Sequence, residues 1–265
     1  MNRIDATLAR CRREERKALV MFLTAGDPTM ATTEALIPAI AEAGADILEI
    51  GVPFSDPMAD GPTIQAASER ALASGANLRD ILEMIRRVRV RCDIPVVLFS
   101  YYNVLMRYGV DRLANDSTKA GIDGWLVVDV PAEEAAEIRP ALDAHNLHLI
   151  PLMAPTTPDK RARRVLTQAG GFVYYITVTG VTGARKDVPP DLTDRLQALK
   201  RITDLPVMAG FGVSSPEMAR KVSRHADGVV VGSALINLVS RAGSCAEAVA
   251  AARDFVGSLA RALRN

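Results

Sequence analysis

The chain has 265 residues, 32 basic and 31 acidic side chains for a formal net charge of +1, and 49% hydrophobic residues. That composition supplies one large core, which one α/β barrel fills as well as two small domains would. It offers neither the basic block of a nucleic-acid binder nor the acidic tail of a disordered chain. Three scattered cysteines, Cys11, Cys92 and Cys245, with no Cys-x-x-Cys pair, argue against a disulfide framework or a zinc site and predict reduced thiols. No apolar run is long enough to span a membrane. Residues Met1 to Leu8 lack the apolar core of a signal peptide, so a cytoplasmic protein is expected.

From the N-terminus, Ile4, Leu8 and Cys11 fall at helical spacing and predict a short amphipathic helix packed on the body. Apolar runs at 19–24, 46–51, 95–100, 124–129, 148–152, 172–177, 206–210 and 228–231 then read as strands. Each is mostly apolar on both faces, as buried parallel strands are. Helical patterns lie between them at 32–43, 63–73, 78–91, 132–145, 160–169, 192–201 and 215–224, and a last helix covers roughly 246–263. Eight strands alternating with helices fit a (β/α)₈ TIM barrel. A doubly wound open sheet has the same rhythm, and the continuous wrapping favours the barrel. No linker or composition shift divides the chain, so residues 1–265 are read as one domain.

Active sites in barrels sit at the C-terminal ends of the strands. The second strand carries Glu49 inside an apolar run and continues into a Gly/Pro/Asp-rich loop with Asp56 and Asp60. A carboxylate in an apolar strand is costly unless it is paired or used. With a second acid just beyond it, the pair suits general acid–base chemistry. The alternative for Glu49 is a buried structural ion pair. For Asp60 it is a loop cap before Gly61-Pro62, and Asp56-Pro57 reads as turn chemistry. After the last two strands, Gly210-Phe211-Gly212 and Gly232-Ser233 each open a helix. Glycine lets backbone approach a ligand and free N–H groups at a helix start face an anion, so this end is expected to bind phosphate. The three histidines, His145, His148 and His225, fall at no predicted strand end, which leaves proton transfer to carboxylates and tyrosine.

The run Leu48-Glu49-Ile50-Gly51-Val52-Pro53-Phe54-Ser55-Asp56-Pro57-Met58-Ala59-Asp60-Gly61 resembles the signature of the tryptophan synthase α subunit family. Phe22-Leu23-Thr24-Ala25-Gly26-Asp27-Pro28, Asp129-Val130-Pro131, Gly180-Val181-Thr182-Gly183 and Gly210-Phe211-Gly212-Val213-Ser214 match in order, so the resemblance spans the chain. It implies a carbon–carbon lyase that cleaves indole-3-glycerol phosphate to indole and glyceraldehyde 3-phosphate by a retro-aldol step. It also implies a separate β subunit carrying pyridoxal phosphate (PLP), in an α2β2 heterotetramer, with no metal or organic cofactor in this chain.

By the same resemblance Glu49 is the general acid–base, Asp60 holds the indole N–H, and Tyr174 aligns with an active-site tyrosine, its neighbour Tyr175 pointing the other way. Tyr174 reads otherwise as a barrel-core aromatic. Phe22, Ile64, Phe99, Leu126 and Phe211 look like walls of an indole pocket, with ordinary core as the alternative. Many relatives have Arg-Ala where this chain has Val178-Thr179, so phosphate would rest more on the backbone N–H groups of Gly183, Gly212, Gly232 and Ser233. The charged loop 182–190 is a candidate lid, with Thr182 reaching toward Asp60, or a solvated surface loop. Pro53, Asp56 and the Asp129-Val130-Pro131 turn would meet the partner. A free-standing indole-3-glycerol-phosphate lyase is the alternative. A non-catalytic activating subunit is disfavoured because both Glu49 and Asp60 are present, and another phosphate-binding barrel has no need of the strand-2 run.

Overall fold

Runs of buried β-branched and leucine side chains become parallel strands whose two faces meet two different cores. The computed structural model describes residues 1–131, 134–167, 169–176, 192–210 and 212–264. Its strands are β1 (Ala18–Thr24), β2 (Ile47–Gly51), β3 (Val96–Ser100), β4 (Gly124–Val127), β5 (His148–Leu149), β6 (Leu152–Met153), β7 (Val173–Ile176), β8 (Val207–Gly210) and β9 (Gly228–Val231). They form one sheet in the order β5-β4-β3-β2-β1-β9-β8-β7-β6, with every pairing parallel.

The sheet's two ends, β5 and β6, are halves of one stretch. The expected single strand at 148–152 is interrupted because Pro151 has no N–H to give to a ladder. Around the break the Ile150 N–H donates to the Trp125 carbonyl at 2.8 Å and the Tyr174 N–H donates to the Pro151 carbonyl at 3.0 Å. This stretch therefore bonds β4 on one side and β7 on the other, and it completes an eight-position barrel.

The helices are α1 (Arg3–Arg13), α2 (Met30–Glu42), α3 (Pro62–Ala73), α4 (Leu78–Val88), α5 (Tyr102–Tyr108), α6 (Val110–Ala120), α7 (Arg139–Ala144), α8 (Asp159–Leu166), α9 (Leu192–Lys200), α10 (Pro216–Ser223), α11 (Ser233–Arg241) and α12 (Cys245–Arg264). Two stretches depart from the sequence reading. The helix expected at 132–145 is, where described, a 3₁₀ turn Ala135–Glu137 and then α7, which restarts at Arg139-Pro140. Proline fits a helix's first turn, not its interior. Between β3 and β4, α5 and α6 were not expected. They are separated by Gly109 at φ +94°, a backbone that glycine adopts without a Cβ penalty.

Alternation along the strands sorts side chains into layers. Ala18, Val20, Ile47, Val97, Leu126, Ile150, Phe172, Met208 and Val230 face inward as one cluster, and Ile4, Leu8 and Cys11 of α1 join it. The N-terminal helix is thus the plug at the barrel's N-terminal end. Its first turn is tied down by Asn2, whose side chain accepts from the Ile4 N–H and donates to the carbonyls of Asp123 (2.8 Å) and Asn146 (2.9 Å). Leu19, Met21, Leu23, Leu48 and Ile50 face outward onto the helices. No helix of the described residues is long and apolar enough to cross a membrane.

Candidate functional site

In β2, Ile47, Glu49 and Gly51 share the inward face, so the same alternation that buries Ile47 places Glu49 above it, opposite Phe22 of β1 and Val97 of β3. Glu49 is fully buried. Among the described residues neither of its carboxylate oxygens has a hydrogen-bond partner, and no ion pair is formed. Among those residues, then, Glu49 takes part in no structural ion pair. Burial alone pushes the Glu49 carboxyl up to about 8, so it is protonated at neutral pH. A buried polar group with nothing to bond calls for an explanation such as a ligand or catalysis.

Asp60 sits on the loop after β2. It is not the cap of α3, a place taken by Gly61 with no side-chain bond. Its carboxylate instead accepts from the Tyr101 hydroxyl at 3.0 Å, and its carbonyl accepts from the Gln65 amide at 2.9 Å. Burial raises the Asp60 carboxyl, the Tyr101 bond pulls it back, and it settles at about 6. Two acids eleven residues apart in sequence thus carry different protons at neutral pH, the pattern by which paired carboxylates divide labour.

Tyr174 of β7 faces inward and Tyr175 outward, as alternation requires. The Tyr174 phenol is pushed well up by burial and, less, by the charges of Glu49 and Asp60, so both acids lie within electrostatic reach of it. A Cβ on Gly210 would lie 2.8 Å from the Tyr174 hydroxyl, so this glycine leaves the ring its room. The Tyr174 ring packs on the inner core cluster, as the core-aromatic reading has it.

Phe22, Ala67 and Ile236 form a small cluster with Ile64 and Phe99 packed on it. The Phe22 and Phe99 rings meet edge to face at 5.1 Å. Gly51 allows this, since a Cβ there would sit 2.5 Å from the Phe22 ring. Three of the expected pocket walls thus come together, while Leu126 lies one layer deeper in the inner core, touching the same cluster through Phe99.

Gly232 adjoins Phe22 and begins α11 without a side-chain cap, followed by Ser233. The first-turn N–H groups of a helix have no intrahelical partner and suit an anion. By contrast the start of α10, after Gly212 (φ +63°), is already capped by the Ser215 side chain, which accepts from Met218. Thr182, Gly183, Phe211 and Val178-Thr179 lie outside the described residues.

Two residues of this mouth were not singled out from the sequence. Tyr101 is buried, stacks on Phe54 at 5.0 Å, accepts from the Ala59 N–H at 3.0 Å and donates to Asp60. Thr24, at the end of β1, is buried with its hydroxyl unpartnered among the described residues. Period-two alternation was the available signal for both. Val97, Phe99 and Tyr101 share one face, as do Val20, Phe22 and Thr24.

Residues 8–264 match the family model described as tryptophan synthase alpha chain. The chain is 52% identical to the tryptophan synthase alpha chain of Geobacter sulfurreducens over 265 residues, all of both chains. It is 44% identical to that of Caldanaerobacter subterraneus subsp. tengcongensis over 263 residues, 99% of this chain and 100% of the relative. Among solved structures it superposes on tryptophan synthase subunit alpha of Legionella pneumophila with a TM-score of 0.92 at 39% identity, covering 99% of this chain and 98% of that one. It superposes equally well on a chain of Mycobacterium tuberculosis tryptophan synthase, TM-score 0.92 at 35% identity, covering 100% and 99%.

Proposed function

This chain belongs to the tryptophan synthase alpha chain family, the lyase of tryptophan biosynthesis that cleaves indole-3-glycerol phosphate to indole and glyceraldehyde 3-phosphate, and from that premise we propose how its residues carry the reaction. The observation that carries the reading is Glu49, fully buried with both oxygens unpartnered among the described residues. Held protonated by burial, Glu49 delivers its proton to indole C3. The resulting carboxylate then takes the proton of the chain hydroxyl as the carbon–carbon bond breaks and the aldehyde forms. The proton count closes, and Glu49 ends as it began.

Positive charge develops on the indole nitrogen when C3 is protonated. Asp60, largely ionised at neutral pH, accepts the indole N–H and stabilises that charge in a site with little water to screen it. Tyr174 supplies a hydroxyl within electrostatic reach of both acids. Phe22, Ile64 and Phe99 enclose the indole ring, with Leu126 beneath. The substrate phosphate lies on the amides of Gly232 and Ser233, with Gly212 kept as a further backbone contact, and Phe22 next to Gly232 sets the distance from ring to phosphate. We assign Thr182, Gly183 and Phe211 to lid, phosphate and ring on the strength of the resemblance alone. No cofactor is invoked in this chain, because the step needs only proton transfer and charge stabilisation.

Members of this family work with a β subunit, and we propose an α2β2 assembly here, in the cytoplasm, with PLP held by the partner. Supporting a docking face at the barrel mouth, Met58 on the loop after β2 is 89% exposed and Met106 in α5 is 58% exposed, two large apolar side chains left in water at the same end. Indole is small and apolar, and passing it directly to a partner keeps it from being lost.

The test is Glu49→Gln, which is nearly isosteric but cannot cycle the proton. Indole release at saturating substrate should fall at least about 10²-fold with an unchanged circular dichroism spectrum. A folded variant with near-native turnover would sink the assignment. Adding a β subunit should raise kcat of the native chain about tenfold. A chain at full rate alone and indifferent to the partner would be a free-standing lyase.

A further inference from the structure

The loops after β2, β3 and β4 are joined by side-chain hydrogen bonds that begin at Asp60 and end on the surface. Tyr101 holds the first loop at two points, donating to the Asp60 carboxylate and accepting from the Ala59 N–H, each at 3.0 Å. Its ring is buried and stacked on Phe54 of the same loop. Tyr101 is the junction residue between β3 and α5, so its direction depends on how that junction is held. No side chain of its own segment caps α5. The cap comes from the next loop. Asp129, beyond β4, accepts the Tyr102 N–H at 2.7 Å, and Glu137 accepts from the Tyr102 hydroxyl at 2.7 Å. A carboxylate is well placed at the first N–H of a helix.

We propose that Asp129 is a positioning residue for Asp60, fixing the β3–α5 junction through the Tyr102 N–H so that Tyr101 can hold the Asp60 carboxylate. Asp129 itself touches no substrate. This rests on the reading of Asp60 as the acid that stabilises the indole nitrogen. Without Asp129 the junction relaxes, Tyr101 leaves its place, and Asp60 loses the donor that aims it. Misplacing a catalytic group by an ångström or less is enough for a large loss of rate. A purely structural cap would lower stability and leave the surviving enzyme normal.

The experiment uses the isolated full-length chain and compares Asp129→Ala, Asp129→Asn, Tyr101→Phe and the double variant Asp129→Ala/Tyr101→Phe in the lyase assay. Asp129→Ala should lower kcat about tenfold, with a smaller change in KM. Asp129→Asn keeps an acceptor oxygen for the Tyr102 N–H and should restore most of the rate. Because Tyr101 is the element both act through, the double variant should be no worse than Tyr101→Phe. The acidic limb of the pH–rate profile gives a second reading. Asp60 is bonded by Tyr101 of the β3–α5 junction, with Tyr174 of β7 within electrostatic reach, Glu49 on β2 and Asp56 on its own loop. Tyr101's bond lowers the Asp60 carboxyl, so its loss should move that limb to higher pH, equally in both single alanine and phenylalanine variants. Multiplicative losses in the double variant, equal damage from Asp129→Ala and Asp129→Asn, or a defect seen only when a β subunit is added would each overturn the proposal. The last outcome would make Asp129 a partner contact. If the native chain itself releases no indole, with or without the partner, the lyase reading has failed instead.

Discussion

At the N-terminal end of the barrel Asp46, Asp123 and Asp227 each stand one residue before a strand, and each is neutralised; at the C-terminal end Glu49, deeper than any of them, has no partner among the described residues. Asp46 takes two bonds from the Arg16 guanidinium, at 2.7 and 2.8 Å, and the Leu19 N–H. Asp123 takes Arg89 and Arg3, each at 3.0 Å, and the Val96 N–H. Asp227 takes Lys200 at 2.7 Å and the Val207 N–H. In each case the carboxylate bonds the N–H of a neighbouring strand's first or second residue and so ties strand ends together. One side chain class does two jobs, and the number of partners tells which. A satisfied carboxylate holds the fold, whereas an unsatisfied one stores reactivity that the rest of the fold must carry.

The sharpest test of that contrast is Asp123→Ala. It strands the largely buried Arg89 guanidinium without its carboxylate and removes the Val96 bond. Urea unfolding should show a loss of about 3–5 kcal/mol, while the fraction that remains folded keeps its kcat. A loss below about 1 kcal/mol would mean that the N-terminal network is decorative.

Glu49→Gln should move stability the opposite way. Its carboxyl is raised from 4.5 to about 8 by burial. The native state therefore keeps a proton that the unfolded chain releases between those values. The contribution of this group to stability is fully present below pH ~4.5 and is lost as pH rises toward 8. Glutamine escapes this loss, so the variant should exceed the native chain by roughly 4 kcal/mol at pH 8, the margin closing toward pH 4.5. A pH-independent difference would mean that Glu49 is not buried as a lone acid.

The smallest effect concerns the far side of the mouth. Ser233→Tyr at the uncapped start of α11 should raise KM about tenfold and leave kcat within about twofold, because phosphate binding is shared by ground and transition states. Inorganic phosphate should compete in the native chain and compete less well in the variant. An unchanged KM would move the anion away from α11.

The barrel was legible in the sequence because buried parallel strands are apolar on both faces, and such runs need no partner to be recognised. Their limits were found within about two residues, except where Pro151 divides the fifth strand. The segment 102–120 gave no helical pattern because Tyr102, Asn103, Asp111 and Asn115 dilute the apolar rhythm, and two helices parted by Gly109 have less periodicity than one long helix. Glu49 was conspicuous as a charge in the middle of an apolar strand. Tyr101 was not, since two adjacent tyrosines at a strand end give no hint of which turns inward until the register with Phe99 is followed.

By itself, then, the sequence determined the alternation of strands and helices, the burial of Glu49 and the family signature around it, all consequences of local pattern. Only the tertiary structure decided that Glu49 has no partner among the described residues, that Asp60 is held by Tyr101 rather than spent on capping α3, and that α1 plugs the barrel. It also showed that α11, and not α10, offers open amides. Each of those depends on which atoms meet across dozens of residues of chain. Hydrogen-bond satisfaction is a property of such meetings, and no local pattern contains it.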